Sequence, residues 1–319
     1  MKLKHAIMVG MMGRIADRFH EYQPASDLAR RLEMCQKIKD IDGIEVVYPQ
    51  DFSNVQQTIQ MVKDMGLAVS ALNLNVKGEK KWQSGSFTNA DPQLRREAID
   101  YLKCAMDLAA DLGTDMVTCC PLIDGHNYAF EVDYLKQWIW LEEGIGEASR
   151  HRSDIRVSLE YKLNESRNYN ILSDMGRSLF LCQKLGLPNV GVTVDVGHAL
   201  IAKETPAEAL SLGALNNRLF YVHFNDNARE WDWDMLPGSV NVWDLVEVVF
   251  YLKRLEWSGW LSYDVAMREG TIVDGMSASI SILKSAETLV DKISMETLEG
   301  YIKDALPSRT FSELMKHLL

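Results

Sequence analysis

Eight short β-rich apolar runs recur along the chain, each followed by a stretch with helical periodicity, and this alternation constrains the fold more than any single motif. The runs are LKHAIMVGM (3–11), GIEVVYP (43–49), LAVSALNL (67–74), DMVTCCP (115–121), IRVSLEY (155–161), VGVTVDVG (190–197), LFYVHF (219–224) and WLSYDVAM (260–267). Most follow Gly or a polar turn, as parallel strands covered on both faces do. The periodic segments lie near 26–40, 54–65, 92–112, 130–151, 173–186, 204–215, 241–256 and 273–293. Helix starts are signalled by Pro24 with Ser26, by Asp91–Pro92, by Thr205–Pro206, and by Asn241 ahead of VWDLVEVV. Eight βα units in 319 residues predict an α/β fold, a (β/α)8 TIM barrel. A doubly wound sheet fits less well, because GMMGR (10–14) is not a GxGxxG turn.

The pattern predicts one barrel domain over residues 1–293 and a C-terminal helical extension over 294–319. The extension is amphipathic and broken at Pro307, which predicts two short helices packed outside the barrel or, in a homodimer or homotetramer, on a neighbouring subunit. A hydrophobic content of 47% supports a full core, and a net charge of −11 disfavours nucleic acid and anionic membrane in favour of a small uncharged substrate. Five cysteines without CxxC spacing indicate neither a disulfide framework nor a zinc-thiolate site. No apolar run approaches the ~20 residues of a membrane span. MKLKHAIMVG lacks the features of a signal peptide, so a cytoplasmic location is expected.

Catalytic groups in such a barrel sit where strands end. The fifth run ends at Glu160 with Lys162 two positions on, the sixth at Asp195 with His198 three positions on. The seventh ends in HFNDNAREWDWD, bringing His223, Asn225 and Asp226 and then Asp232 and Asp234; the eighth carries Asp264. Alternation puts Glu160 and Lys162 on one side of their strand. Successive strands that each deliver a carboxylate to one place call for a shared cation, since unpaired buried charge is costly. A mixed His/Asp set favours Mn²⁺ or Mg²⁺ over zinc.

The combination of E-x-K, D-x-x-H, a strand-seven His, D-x-D and a strand-eight Asp over residues 155–270 resembles the xylose isomerase-like superfamily, most nearly its two-metal L-rhamnose isomerase type. The resemblance implies one metal site of Glu160, Asp195, His223 and Asp264, with Asp195 bridging to a second completed by His198, Asp232 and Asp234. It further implies two Mn²⁺ (or Mg²⁺, Co²⁺) per subunit and catalytic roles for Lys162, Asp195 and His198, with Lys162 on a substrate oxygen. The implied activity is a divalent-metal-dependent aldose–ketose isomerisation of an unphosphorylated monosaccharide, by hydride shift between C1 and C2. The alternative within the superfamily is a single-metal ketose 3-epimerase or 3-keto-glycoside lyase. Those enzymes usually carry Glu on strand eight and lack D-x-D. A DNA-repair endonuclease of the same architecture is disfavoured by the charge of −11.

The ring-opening histidine of xylose isomerases is absent from its expected place after the second or third strand, leaving His20 and His126 as substitutes. His126, together with Trp82, Lys162 and Trp231, is expected to contact the sugar, the indoles and Trp233 forming apolar walls. Tyr161 and Tyr263 are expected to pack outward. Cys119 and Cys120, at the end of the fourth run, have no basic partner nearby and are read as core.

Overall fold

Residues 3–318 are described by a computed structural model. Strands Lys4–Met8, Gly43–Tyr48, Ala68–Leu74, Met116–Cys119, Arg156–Glu160, Val190–Asp195, Leu219–Phe224 and Trp260–Tyr263 each pair in parallel with the next, and the eighth closes on the first. Ile7 sits between Tyr263 on one side and Ile44 on the other, which completes the barrel. The predicted (β/α)8 architecture is thus present, with helices outside every strand and additional C-terminal helices.

Local chemistry explains the element ends. Asn54, Asp91, Asp133 and Asp174 each accept a backbone N–H at a helix start, and Pro92 follows Asp91 at a position whose own N–H would be unpaired. The first helix, Leu28–Cys35, is capped by Asp27 and not by the predicted Ser26, whose hydroxyl donates to the Met12 carbonyl. The first strand is shorter than predicted. After Met8 the chain coils through Val9–Met12 and enters a small hairpin, Ile15–Ala16 against Glu21–Gln23. On the mouth, Gly125–His126 pairs with Asn168–Asn170, which pairs with Asn164–Glu165.

The helices Met295–Asp304 and Pro307–Leu318 lie on the outside of their own barrel. Leu298 and Leu314 are buried there, and the Phe311 ring meets Trp243 edge-on at 5.4 Å. The extension therefore packs on the outside of its own barrel, one of the two placements expected. No helix among the described residues is long and apolar enough to cross a membrane.

Gly43 opens the second strand where a β-carbon would stand 2.8 Å from the Ala68 carbonyl oxygen and 2.9 Å from the Trp260 ring. A methyl group there must push two barrel strands apart. Gly43→Ala is expected to destabilise the fold by about 1–3 kcal/mol, read as a lower urea midpoint; an unchanged midpoint would contradict this packing.

Candidate metal centre

The sheet fixes the directions of the functional side chains before any loop contributes. Glu160 ends the fifth strand and Asp195 the sixth, while His223 lies within the seventh, paired in register with Asp195. Asp195 also caps the short helix Val196–Ile201, accepting the His198 N–H at 2.9 Å, and its other oxygen accepts Asn225 Nδ2 at 3.1 Å. A β-carbon at Gly197 would collide with Asn225, so only glycine lets this turn approach the strand-seven end.

His223 is the hub. Its Nε2 lies 3.0 Å from Glu45 Oε2, and its Nδ1 lies 3.2 Å from Glu160 Oε1 and 3.8 Å from Asp195 Oδ2. Glu45 is itself held by Thr118 Oγ1 at 2.6 Å and Asn73 Nδ2 at 3.2 Å. With the Nε2 proton kept toward Glu45, loss of the Nδ1 proton to a bound cation would direct that lone pair at the space shared with Glu160 and Asp195, the tautomer a metal-binding imidazole requires. The ligand atoms of Glu160, Asp195 and His223 all lie within 4.8 Å of one another.

Beside this trio stands a second group. His198 Nε2 is 3.2 Å from Asp232 Oδ2, and its Nδ1 is 3.1 Å from Glu160 Oε1 without hydrogen-bond geometry. Lys162 Nζ lies 2.9 Å from Asp232 and 2.5 Å from Glu165. Asp234 and Asp264 line the same cavity, which has a volume of about 450 Å³. Asp234 reaches it from a loop position with φ of 48°.

The electrostatics are one-sided. Burial opposes ionisation of Glu160, yet His223 and His198 outweigh it and hold the carboxyl well below its usual range. Burial likewise opposes charge on His198 and His223, and the carboxylates nevertheless push both well above the usual histidine value. Asp195 is raised by burial and by Glu160 and Asp232. Asp234 is pushed well up by burial and by Asp232 and Asp264, and burial with Asp195 and Glu160 brings Asp264 to about 7 despite His223. Six carboxyl groups (Glu45, Glu160, Asp195, Asp232, Asp234, Asp264) thus face three cationic or ionisable bases (Lys162, His198, His223). Asp232 Oδ1, Asn225 Oδ1 and His198 Nδ1 are buried without hydrogen-bond partners. Oxygen-rich donors with imidazole, excess negative charge and orphaned acceptors fit a hard divalent cation. Cys120 approaches Glu160 and His198, but burial and Glu160 keep its thiol protonated, so it offers no thiolate to a softer ion.

A family model described as "Xylose isomerase-like TIM barrel" matches residues 32–286. The chain belongs to that family. It is 26% identical over 219 residues to a xylose isomerase of Thermus thermophilus, a match covering 66% of this chain and 56% of that protein, so the matched part spans little more than half the relative's length. Similar solved folds include an E. coli 3-keto-D-glucoside 4-epimerase (TM-score 0.68, 15% identity, 89% of this chain and 100% of that one). A Methylomonas D-allulose 3-epimerase (0.70, 15%, 89% and 98%) and an L-ribulose 3-epimerase (0.69, 17%, 92% and 98%) resemble it equally. At these identities the likeness is one of fold.

Within this xylose isomerase-like barrel, the residues predicted from strand ends Glu160, Lys162, His198, Asp232, Asp234 and Asp264 line one cavity, with Asp195 and His223 completing the cluster. Of the predicted sugar contacts, Lys162 lines the cavity, whereas Trp82, His126 and Trp231 do not. Trp82 is fully buried, edge-on to Tyr101 at 5.6 Å, because its loop folds back onto the barrel. His126 packs on Tyr134 and Tyr169 in the small mouth sheet, and Trp231 and Trp233 stand outside the cavity lining, as does the exposed His20. Cys120, read as core, lines the cavity. The residues missed are Glu45, a charged residue inside an apolar run, and Asn73, which lines the cavity and holds it.

If Glu45 sets the His223 tautomer, Glu45→Gln should lower Mn²⁺ affinity by about 10–100-fold, the usual effect of losing such a carboxylate, while the protein stays folded. Calorimetric Mn²⁺ titration with circular dichroism checks this. Unchanged affinity would remove Glu45 from the centre.

Proposed function

We propose that the protein is a divalent-metal-dependent aldose–ketose isomerase acting at the C1–C2 end of an unphosphorylated sugar, with Mn²⁺ (or Mg²⁺, Co²⁺) held by two donor groups that share Asp195. The first group is Glu160, Asp195, His223 and Asp264; the second is Asp195, His198, Asp232 and Asp234. The observation that carries this reading is the convergence of both groups and Lys162 on one cavity. Bound cations would supply the polarisation of two neighbouring sugar oxygens and the stabilisation of the alkoxide that develops there. The chain's residues do the rest. Hydride moves from C2 to C1 while the O2 proton is passed to O1, so no external oxidant or reductant is consumed. Lys162, with burial opposed by Asp232 and Glu165 holding its ammonium charged, donates a hydrogen bond to the carbonyl oxygen. Leu122, Met8 and Met11 in the cavity wall limit the water that reaches the open-chain aldehyde.

A second reading, a single-metal ketose 3-epimerase or 3-keto-glycoside lyase, is favoured by one contact. The Lys162 ammonium already sits on Asp232, so the second donor group has a cation of its own. That reaction would need one metal, held by the first group, and an acid–base pair.

Asp232→Asn/Asp234→Asn removes two charges from the second group and leaves Glu160, His223 and Asp264 untouched. Under the isomerase reading, sugar binding survives and C1–C2 isomerisation of an aldose panel with Mn²⁺ falls by a factor of a hundred or more, of the order reported for loss of one strong transition-state contact. Anomalous scattering at the manganese edge should show two peaks in the wild type and one in the variant. Activity within a fewfold of wild type, or C3 epimerisation as the sole wild-type reaction, would overturn it.

A further inference from the structure

The metal-centre cavity adjoins a second one on the side of the third to fifth strands. Lys77 and Leu122 line the first, and they also line the second, of about 870 Å³, under the mouth sheet. Glu165 joins the two as well: its carboxylate bonds Lys162 at the metal centre and its residue walls the second space. No residue of the metal cluster reaches that space, so it has no part in the chemistry described above.

Its floor is built. Gln137 is 6% exposed and donates to the Gly125 carbonyl at 2.8 Å. Thr88, 3% exposed, donates to Asp124 at 2.7 Å. Asn168 donates to the Leu122 carbonyl at 2.9 Å, and a β-carbon at Gly125 would collide with the Tyr169 carbonyl, which pins the sheet at this edge. Neutral amides and hydroxyls held in fixed directions, beside the half-buried Trp140 indole, form a surface suited to the hydroxyl rims and apolar faces of a pyranose. Arg95 covers the Trp140 ring at 4.0 Å and holds it in place. Lys77, at the divide, makes no ion pair among the described residues and has its donors available to an oxygen passing between the cavities.

We propose that the second cavity binds a further glycosyl unit, so that the preferred substrate is a short reducing oligosaccharide whose reducing-end sugar lies at the metal centre. The inference rests on the isomerase reading for which unit occupies which cavity. Because C1 and C2 and their oxygens must be free to react, the second unit hangs from a hydroxyl further along the reacting sugar. Lys77 donates to the bridging oxygen, and Trp140 and Gln137 take the second ring.

The test is calorimetric binding to Mg²⁺-loaded protein of a panel of aldoses and of their 4-O- and 6-O-glucosyl derivatives, each equilibrated with its ketose beforehand so that no net turnover contributes heat. At least one disaccharide should bind about tenfold or more tightly than its own reducing sugar, a gain of 1.4 kcal/mol. Ser84, exposed on the rim of the second cavity and absent from the first, is replaced by tryptophan to fill that space. Ser84→Trp should abolish the disaccharide gain and leave aldose affinity unchanged; Ala90→Trp, on the same exposed rim, takes its place if circular dichroism shows the first variant unfolded. A panel in which no disaccharide gains over its parent, or a gain that survives the filled rim, overturns the proposal. Failure of the isomerase reading is seen separately, as disaccharides that gain affinity but are not isomerised.

Discussion

The position of His223 between Glu45 and Glu160 is the interaction on which the mouth of this barrel depends. Both carboxylates come from strands of a closed sheet, so the imidazole is clamped from two sides by backbone that cannot drift. The clamp also has a direction. Glu45 is tied to Thr118 and Asn73, whereas Glu160 faces the open cavity with Asp195. One nitrogen is thereby committed to the core and the other to the site. The cost is a concentration of buried negative charge that the barrel's own bases only partly offset, and Asp234 and Asp264 are driven toward protonation by it. A cation relieves that cost where water cannot.

Two further buried carboxylates play no part in the cluster and fix the loops around it. Asp124 accepts the backbone N–H groups of Ser86 and Thr88 at 2.9 and 2.7 Å, with both residues' hydroxyls. Asp226 accepts the N–H groups of Val240 and Asn241 at 2.8 and 3.0 Å, and Asn241 Nδ2 at 2.6 Å. In each loop a carboxylate replaces the ladder that a strand would provide for its amides. Asp226 closes the neck of the segment that carries Asp232 and Asp234, helped by a single antiparallel bridge to Met235. Asp124 does the same for residues 86–88, of which Thr88 lines the second cavity. The two cavities are therefore held by the same device, applied once after the fourth strand and once after the seventh.

How much of this was legible in the sequence follows from what each signal encodes. Apolar runs at regular spacing encode burial on both faces, which only a covered parallel sheet satisfies, so the barrel could be read directly. Glu160, Asp195 and His223 could be read because a strand end has a known direction in a closed barrel. Glu45 escaped because it lies inside GIEVVYP, where alternation sends it inward below the mouth; a lone acid in an otherwise apolar run was itself the signal. Trp82 was misread for the opposite reason: a loop position carries no direction, and this loop turns its indole back onto Tyr101. Asp226 stood among the strand-end candidates, yet nothing in FNDN distinguishes a clamp on backbone amides from a ligand.

The contact between Lys162 and Asp232 links the two readings of the site more closely than a simple competition would. Lys162 and His198 both approach Asp232 Oδ2, while Oδ1 is buried and has no partner. One oxygen of this carboxylate is saturated by the chain and the other is left for a ligand. A cation at Oδ1 therefore does not require the lysine to leave. An ammonium has three donors, and Glu165 and Asp232 engage two of them, so one is left for a sugar oxygen. The same pair of acids that makes burial of the ammonium tolerable also orients its remaining donor. Lys162 can then serve a sugar whether one cation is bound nearby or two, and the choice between the readings falls on Asp234 and the free oxygen of Asp232.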